Sequence, residues 1–378
     1  VAGGYRVYLM DISYFSGKLE AYLRYKRIPY ERIEVGWWRL ATELRRKTGM
    51  VKVPLVETPD GQWLQDTTPM IDWFETYHPR GRVLPEDAYQ AFFCRLLEDY
   101  ADEWLWRSAL HYRWSYRADA RLLGGRIANE VMKDVPLPAF LKARVLRRRQ
   151  RAVYVRGDGV TQETRTHVEG IYTGTLSRLE TILSSQPYLL GARPCLADFG
   201  FFAAMFRHFA LDPTPSRIMR DTAPAVYAWV ARLWNARFDE TKGEWATPGT
   251  LPQGWGALIR DAGETYLPYL HANALAWREG RRRHDFDVQR VSYRNVPTVR
   301  YRVWCRERLQ QHLAELPEEA RASVRRTLEE CGAWEPLHAD GTIPSRLHQG
   351  ASPPLCTPSP RRGRWGFLRS QDPWNPRA

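Results

Sequence analysis

One break in apolar periodicity constrains this chain more than any other feature. Before residue 79, short strand-like runs are interleaved with helical spacing; after residue 87, helical spacing continues to about residue 237. Residues 5–10 (Tyr-Arg-Val-Tyr-Leu-Met) alternate as a half-buried strand does. Residues 16–28 place Leu19, Tyr22 and Leu23 at helical spacing, and the pattern stops before Pro29, whose ring disfavours a helical residue ahead of it. Tyr30 to Val35 reads as a second strand. Residues 53–57 and 62–65 read as two more, joined by Pro59-Asp60-Gly61, where Pro presets φ and Gly tolerates a positive one. Thr68 followed by Pro69 then opens a helix, as an N-cap with Pro at the first helical position. The order β-α-β, hairpin, helix predicts a small α/β domain over residues 1–78.

Residues 79–87 (Pro-Arg-Gly-Arg-Val-Leu-Pro-Glu-Asp) have the composition of a linker. An all-helical domain is expected over 88–248, its first apolar stripe starting with Phe92, Leu96, Leu97 and Tyr100. Residues 196–209 are apolar on nearly every face, as a central buried helix would be. A mostly helical extension follows over 249–345, with Phe286, Val288, Val291 and Tyr293 spaced as a hairpin. The last stretch, 346–378, is basic and proline-rich, a composition that predicts disorder because it buries little apolar surface.

Composition narrows the class. The five cysteines are scattered without a C-x-x-C pair, and the nine histidines show no H-E-x-x-H spacing, which argues against a disulfide scaffold and a metal centre. No run of 18 apolar residues exists and no leader segment is visible, so the expected location is cytoplasmic, with no membrane partner. The net charge of +13 comes from 49 Arg and only seven Lys. Apart from Arg147-Arg148-Arg149-Gln150-Arg151, Arg281-Arg282-Arg283 and the tail, these residues are spread among acids on helix faces, which argues against nucleic acid as a partner.

Val51-Lys52-Val53-Pro54-Leu55-Val56 followed by Gln65-Asp66-Thr67-Thr68-Pro69 resembles the K-V-P and E-S-x-A-I signatures of the glutathione-transferase family. A second segment, Gly191-Ala192-Arg193-Pro194-Cys195-Leu196-Ala197-Asp198, is similar to the family's G-x-x-P-S/T-x-A-D capping box, departing from it at Cys195. A thiol is a weak acceptor, so that half of the cap is weakened and Cys195 reads as a structural residue. The resemblance covers about residues 4–240. It implies a thioredoxin-like N-terminal domain and an all-α C-terminal domain, glutathione as co-substrate, an electrophilic small molecule as acceptor, and a homodimer. Pro54 would be cis, and Val53 would pair through its backbone with the cysteinyl part of glutathione like a short added strand. Asp66 and Thr67 match the positions that hold the γ-glutamyl end, and Lys52 the one that reaches the glycine carboxylate. Independently of the resemblance, free N–H groups where a helix begins favour a carboxylate, and a neighbouring Asp suits an ammonium.

The implied reaction, a detoxifying transfer of glutathione sulfur to an electrophile, requires thiolate. A free thiol with pKa near 8.5 is only about 3% ionised at pH 7, and lowering it by about two units asks for roughly 2.7 kcal/mol. The donor is expected between the first strand and first helix, at Ser13 or Tyr14, with Ser16 capping the helix and Phe15 packing. Residues 1–93 hold no cysteine, so the first domain lacks the thiol for its own thiol–disulfide exchange. Tyr100, Trp104, Arg107 and His111 share one helical face and are the expected acceptor pocket. Two other readings compete with the enzyme: a catalytically silent binding or assembly module using the extension, and association with polyanions through the basic tail.

Overall fold

The computed structural model describes residues 4–49 and 51–347, so the expectation for the tail lies almost wholly outside the described residues. The first domain runs β1 (Tyr5–Leu9), α1 (Tyr14–Tyr25), β2 (Tyr30–Glu34), the short helices α2 (Trp37–Arg39) and α3 (Arg45–Thr48), β3 (Leu55–Glu57), β4 (Trp63–Gln65) and α4 (Thr67–Tyr77). Its sheet has the order β2-β1-β3-β4. β1 and β2 are parallel, with Tyr5 opposite Tyr30, because α1 carries the chain back across the sheet. β3 is antiparallel to both neighbours, Tyr8 facing Leu55 and Leu55 facing Gln65. Gly61, at φ +83°, closes the turn between β3 and β4 with its N–H on the Thr58 carbonyl. This is a thioredoxin-like fold.

Two helix starts differ from the sequence expectation. The N-cap of α1 is Ser13, whose Oγ accepts the Ser16 N–H at 3.3 Å, while Ser16 is buried with its own Oγ accepting the Met10 N–H. The N-cap of α4 is Asp66, not Thr68; its carboxylate accepts the Thr68 N–H, so Pro69 enters in the first turn but not at its first position.

The second domain contains α5 (Ala88–Ser115), α6 (Arg117–Arg126), α7 (Ala139–Gln150), α8 (Arg165–Leu183), α9 (Leu196–Ala204), α10 (Pro213–Thr222) and α11 (Pro224–Asn235). α9 is buried on every face and lies against α5. Gly200 permits that approach, since a Cβ there would stand 2.6 Å from the Glu98 Cα. Asp198 organises the start of α9: it accepts the Cys195 and Leu189 backbone N–H groups at 2.9 and 3.0 Å and the Trp229 indole at 2.9 Å. Both halves of the capping box are present at Cys195, and its thiol also donates to the Asp198 carboxylate at 3.3 Å. α1 packs on α9 through Tyr22 and Tyr25 against Phe199.

The extension adds α12 (Trp255–Asp261), α13 (Leu267–Arg278), the hairpin β5 (Arg283–Val288) and β6 (Val291–Pro297), α14 (Arg300–Glu315), α15 (Glu318–Glu330) and α16 (Trp334–His338). The hairpin pairs Phe286 with Tyr293 and Val288 with Val291, in the expected place. Its apolar residues join the same core as α5 and α9, so the extension is packed onto the helical domain. Among the described residues no helix is long and apolar enough to cross a membrane.

Candidate active site

Strand register brings three separate segments to one end of the sheet. Tyr8 faces Leu55 in an antiparallel pair and Leu55 faces Gln65 in another. The residues following β1, those preceding β3 and those following β4 therefore leave the sheet at the same edge. These are the Ser13 loop, Val53-Pro54, and Asp66-Thr67-Thr68.

The Ser13 loop is held from behind. Arg113 of α5 donates to the Ile12 carbonyl at 3.0 Å, and Arg207 donates to the Met10 carbonyl at 3.0 Å. Both arginines are buried and paired, Arg113 bidentately with Asp212 at 2.8 Å and Arg207 with Glu20 at 2.6 Å. Ser13 itself is half-buried. Its oxygen accepts the Ser16 N–H, which leaves its own hydroxyl hydrogen for a ligand at the positive end of α1. Tyr14 is placed differently. Its ring is buried against Phe15, Trp106 and His208, its hydroxyl donates to the Ala101 carbonyl at 2.8 Å, and burial pushes its pKa well above the usual phenol value. The phenol is thus turned into the domain boundary.

The Val53–Pro54 peptide is cis, the geometry that the resemblance implies. Val53 and Lys52 beside it are half-buried. Lys52 also acts on Glu103 of α5, a carboxyl that burial pushes up and that Arg302 and Lys52 pull back down.

Asp66, Thr67 and Thr68 form the third segment. Thr67 and Thr68 are buried at the N-terminus of α4, whereas Asp66 is half-buried with φ +70°. Asp66 Oδ1 accepts from Thr68 N–H at 3.4 Å and from the Tyr301 hydroxyl at 3.1 Å. Burial raises its pKa to about 6, against the lowering effect of Tyr301, Lys18 and Arg308. Below it lies a charged network joining the two domains. Lys18 of α1, fully buried, pairs with Glu98 and with Asp102, and the Thr68 hydroxyl donates to Glu98 at 2.6 Å.

The expected acceptor pocket requires correction. Tyr100, Trp104, Arg107 and His111 do share a face of α5, but that face is buried in the helical core and roofed by the extension. Tyr100 donates to Asp261 at 2.5 Å; Trp104 packs against Tyr269 and Phe286. The Arg107 guanidinium lies over the Tyr293 ring and pairs with Asp158. His111 is bound to Glu169 at 2.9 Å, and burial holds its pKa below the ordinary value. The face of α5 turned to the Ser13 loop is instead the one carrying Trp106 and Arg113. Trp106 stacks on Phe15 at 6.0 Å and meets Tyr154 edge-on at 6.1 Å; all three are only partly buried. This second stripe was missed in the sequence reading, although Glu103, Trp106, Leu110 and Arg113 also recur at intervals of three and four.

Residues 12–77 match the glutathione S-transferase N-terminal domain, and residues 152–236 match the C-terminal domain of that family. No curated protein matches. Among solved structures, the beta-etherase LigF from Sphingobium sp. strain SYK-6 is 22% identical with a TM-score of 0.44, covering 61% of this chain and 94% of its own. A glutathione S-transferase from Rhodospirillum rubrum F11 is 17% identical with a TM-score of 0.40, covering 67% and 99%. One from Methylobacterium radiotolerans, in complex with glutathione sulfonate, is 18% identical with a TM-score of 0.39, covering 64% and 99%.

Proposed function

We propose that this chain, which belongs to the glutathione S-transferase family, binds glutathione at the shared sheet edge, ionises its thiol and transfers the sulfur to an electrophile. The observation that carries this reading is the convergence there of a free hydroxyl at one helix N-terminus, the backbone at Val53-Pro54, and a carboxylate beside a second helix N-terminus. Thr67 offers its hydroxyl and N–H groups to the γ-glutamyl carboxylate, and Asp66 takes the ammonium. The backbone of Val53 pairs with the cysteinyl unit, which directs the sulfur toward Ser13, and Lys52 takes the glycine carboxylate. Ser13 donates to the thiolate while α1 adds its positive end; together they supply the roughly 2.7 kcal/mol that a two-unit fall in thiol pKa requires. The acceptor lies on Phe15, Trp106 and Tyr154, an aromatic wall suited to a planar electrophile. A homodimer in the cytoplasm belongs to the same reading.

The test is thermal unfolding with and without glutathione. A ligand selective for the folded state stabilises by about 2.7 kcal/mol at a hundredfold excess over Kd. Wild type should melt higher with millimolar glutathione, and Asp66→Ala and Thr67→Ala should lose most of that shift while remaining folded. An unmoved wild-type curve refutes the reading. A second reading is favoured by one observation: the extension fills the Tyr100–His111 face and touches Asp66. A binding module without turnover would bind glutathione tightly and leave a generic aromatic halide unreacted.

A further inference from the structure

The extension reaches the ligand site itself. α14 crosses the boundary between the two domains and is tied to both. Arg308 pairs with Asp72 of α4, which also takes Arg95 of α5 at 2.9 Å. Arg302, buried, binds Glu103 of α5 at 3.2 Å and meets Asp158 and the Tyr269 hydroxyl. Between these ties stands Tyr301, its ring against Trp304 and its hydroxyl on Asp66. We propose that Tyr301 is a positioning residue for the γ-glutamyl anchor, so that the extension completes the glutathione site within a single chain.

The geometry gives the reason. Asp66 has two oxygens, and among the described residues both donors found on it, the Thr68 N–H and the Tyr301 O–H, fall on Oδ1. The carboxylate is fixed in rotation, and Oδ2 is left for an incoming ammonium. Without the phenol, the side chain keeps one long hydrogen bond at 3.4 Å and regains freedom that binding must then remove. The phenol also favours the ionised carboxylate, the only form that takes an ammonium as a salt partner. The groups acting on Asp66 are Lys18 from α1, Glu98 from α5, and Tyr301 and Arg308 from α14, with Cys305 of α14 nearby. Of these, Tyr301 is the one whose donor touches Asp66 from the extension. By linkage, glutathione reinforces the docking of α14 as much as docked α14 reinforces glutathione.

This inference rests on the glutathione reading, and the experiment separates the two. Glutathione is titrated calorimetrically into wild type and Tyr301→Phe from pH 5 to 8, alongside glutaryl-cysteinylglycine, which lacks the amino group. Loss of one hydrogen bond should raise the glutathione Kd about three- to tenfold at pH 7. The acid limb of binding should move to higher pH, because removing the donor raises the Asp66 pKa further. The deaminated analogue should bind both proteins alike, since it makes no use of Asp66. Equal weakening of both ligands marks Tyr301 as a packing residue and overturns the inference. So does an unchanged Kd, or an unmoved acid limb, in the variant. Wild type that binds no glutathione overturns this inference and the proposed function together.

Discussion

Removing the Asp198 carboxylate is the most quantitative test of how the helical domain is held. In Asp198→Ala, three buried N–H donors lose their acceptor: the Cys195 and Leu189 backbone groups and the Trp229 indole. Each orphaned donor costs about 2 kcal/mol, or about 6 in total. Part of this is offset because a buried carboxylate is itself costly. Burial raises the Asp198 pKa from 3.8 to about 6, equivalent to about 3 kcal/mol against the ionised form relative to the neutral one on folding. The expected net loss is about 3 kcal/mol at pH 7, read as a lower urea midpoint at unchanged slope. The sign of the pH dependence follows from the same shift. The unfolded chain releases this proton near pH 4 and the folded protein near pH 6, so the Asp198 contribution falls as pH rises through that window. Asp198→Asn has no such proton. Wild type should therefore gain on Asp198→Asn by about 2.4 kcal/mol between pH 7 and pH 4, effects of other groups cancelling between the two proteins. A loss under about 1 kcal/mol in Asp198→Ala, or a pH-independent gap to Asp198→Asn, would refute the argument.

Arg113→Met should leave the Ile12 carbonyl without its donor and Asp212 without its partner, lowering turnover by about tenfold or more through misplacement of Ser13. Steady-state kinetics with a generic aromatic halide checks it, with glutathione affinity as the control that should change less. Trp106→Ala should raise KM for aromatic acceptors about tenfold with little change in glutathione Kd, whereas Trp104→Ala should act on stability alone. The reverse assignment would return the acceptor to the opposite face of α5.

The parts of the site legible in the sequence are those set by local rules. A turn-forming Pro-Asp-Gly specifies its own surroundings, so β3 and β4 lie within the expected runs 53–57 and 62–65, while the cis Val53–Pro54 peptide was expected only from the family resemblance. The caps were harder. Ser13 and Ser16 are both competent, and the choice rests on the Met10 N–H, which takes the Ser16 oxygen and leaves Ser13 at the helix start. Likewise α4 begins at Thr67 because Asp66 adopts a positive φ, which no spacing rule announces. The acceptor face was misread for a different reason. α5 is buried over nearly its whole length, with domain one on one side, α9 on another and the extension on a third, so several aromatic stripes satisfy the same periodicity. Only the packing of residues 249–345 determines which stripe faces Ser13, and those residues lie beyond the matched family segments. The Tyr301–Asp66 contact joins residues 235 apart and was invisible for the same reason.

The most direct measurement is the ionisation of glutathione bound to this protein, followed by thiolate absorbance in the near ultraviolet as pH is raised. With wild type at saturating glutathione, the thiol should titrate about two units below its free value near 8.5. Ser13→Ala should return it most of the way with little loss of affinity, and Tyr14→Phe should leave it where wild type has it, because the Tyr14 hydroxyl is engaged with Ala101. An unshifted thiol in wild type would contradict the account, and a shift abolished by Tyr14→Phe but kept in Ser13→Ala would assign the donor to the phenol instead.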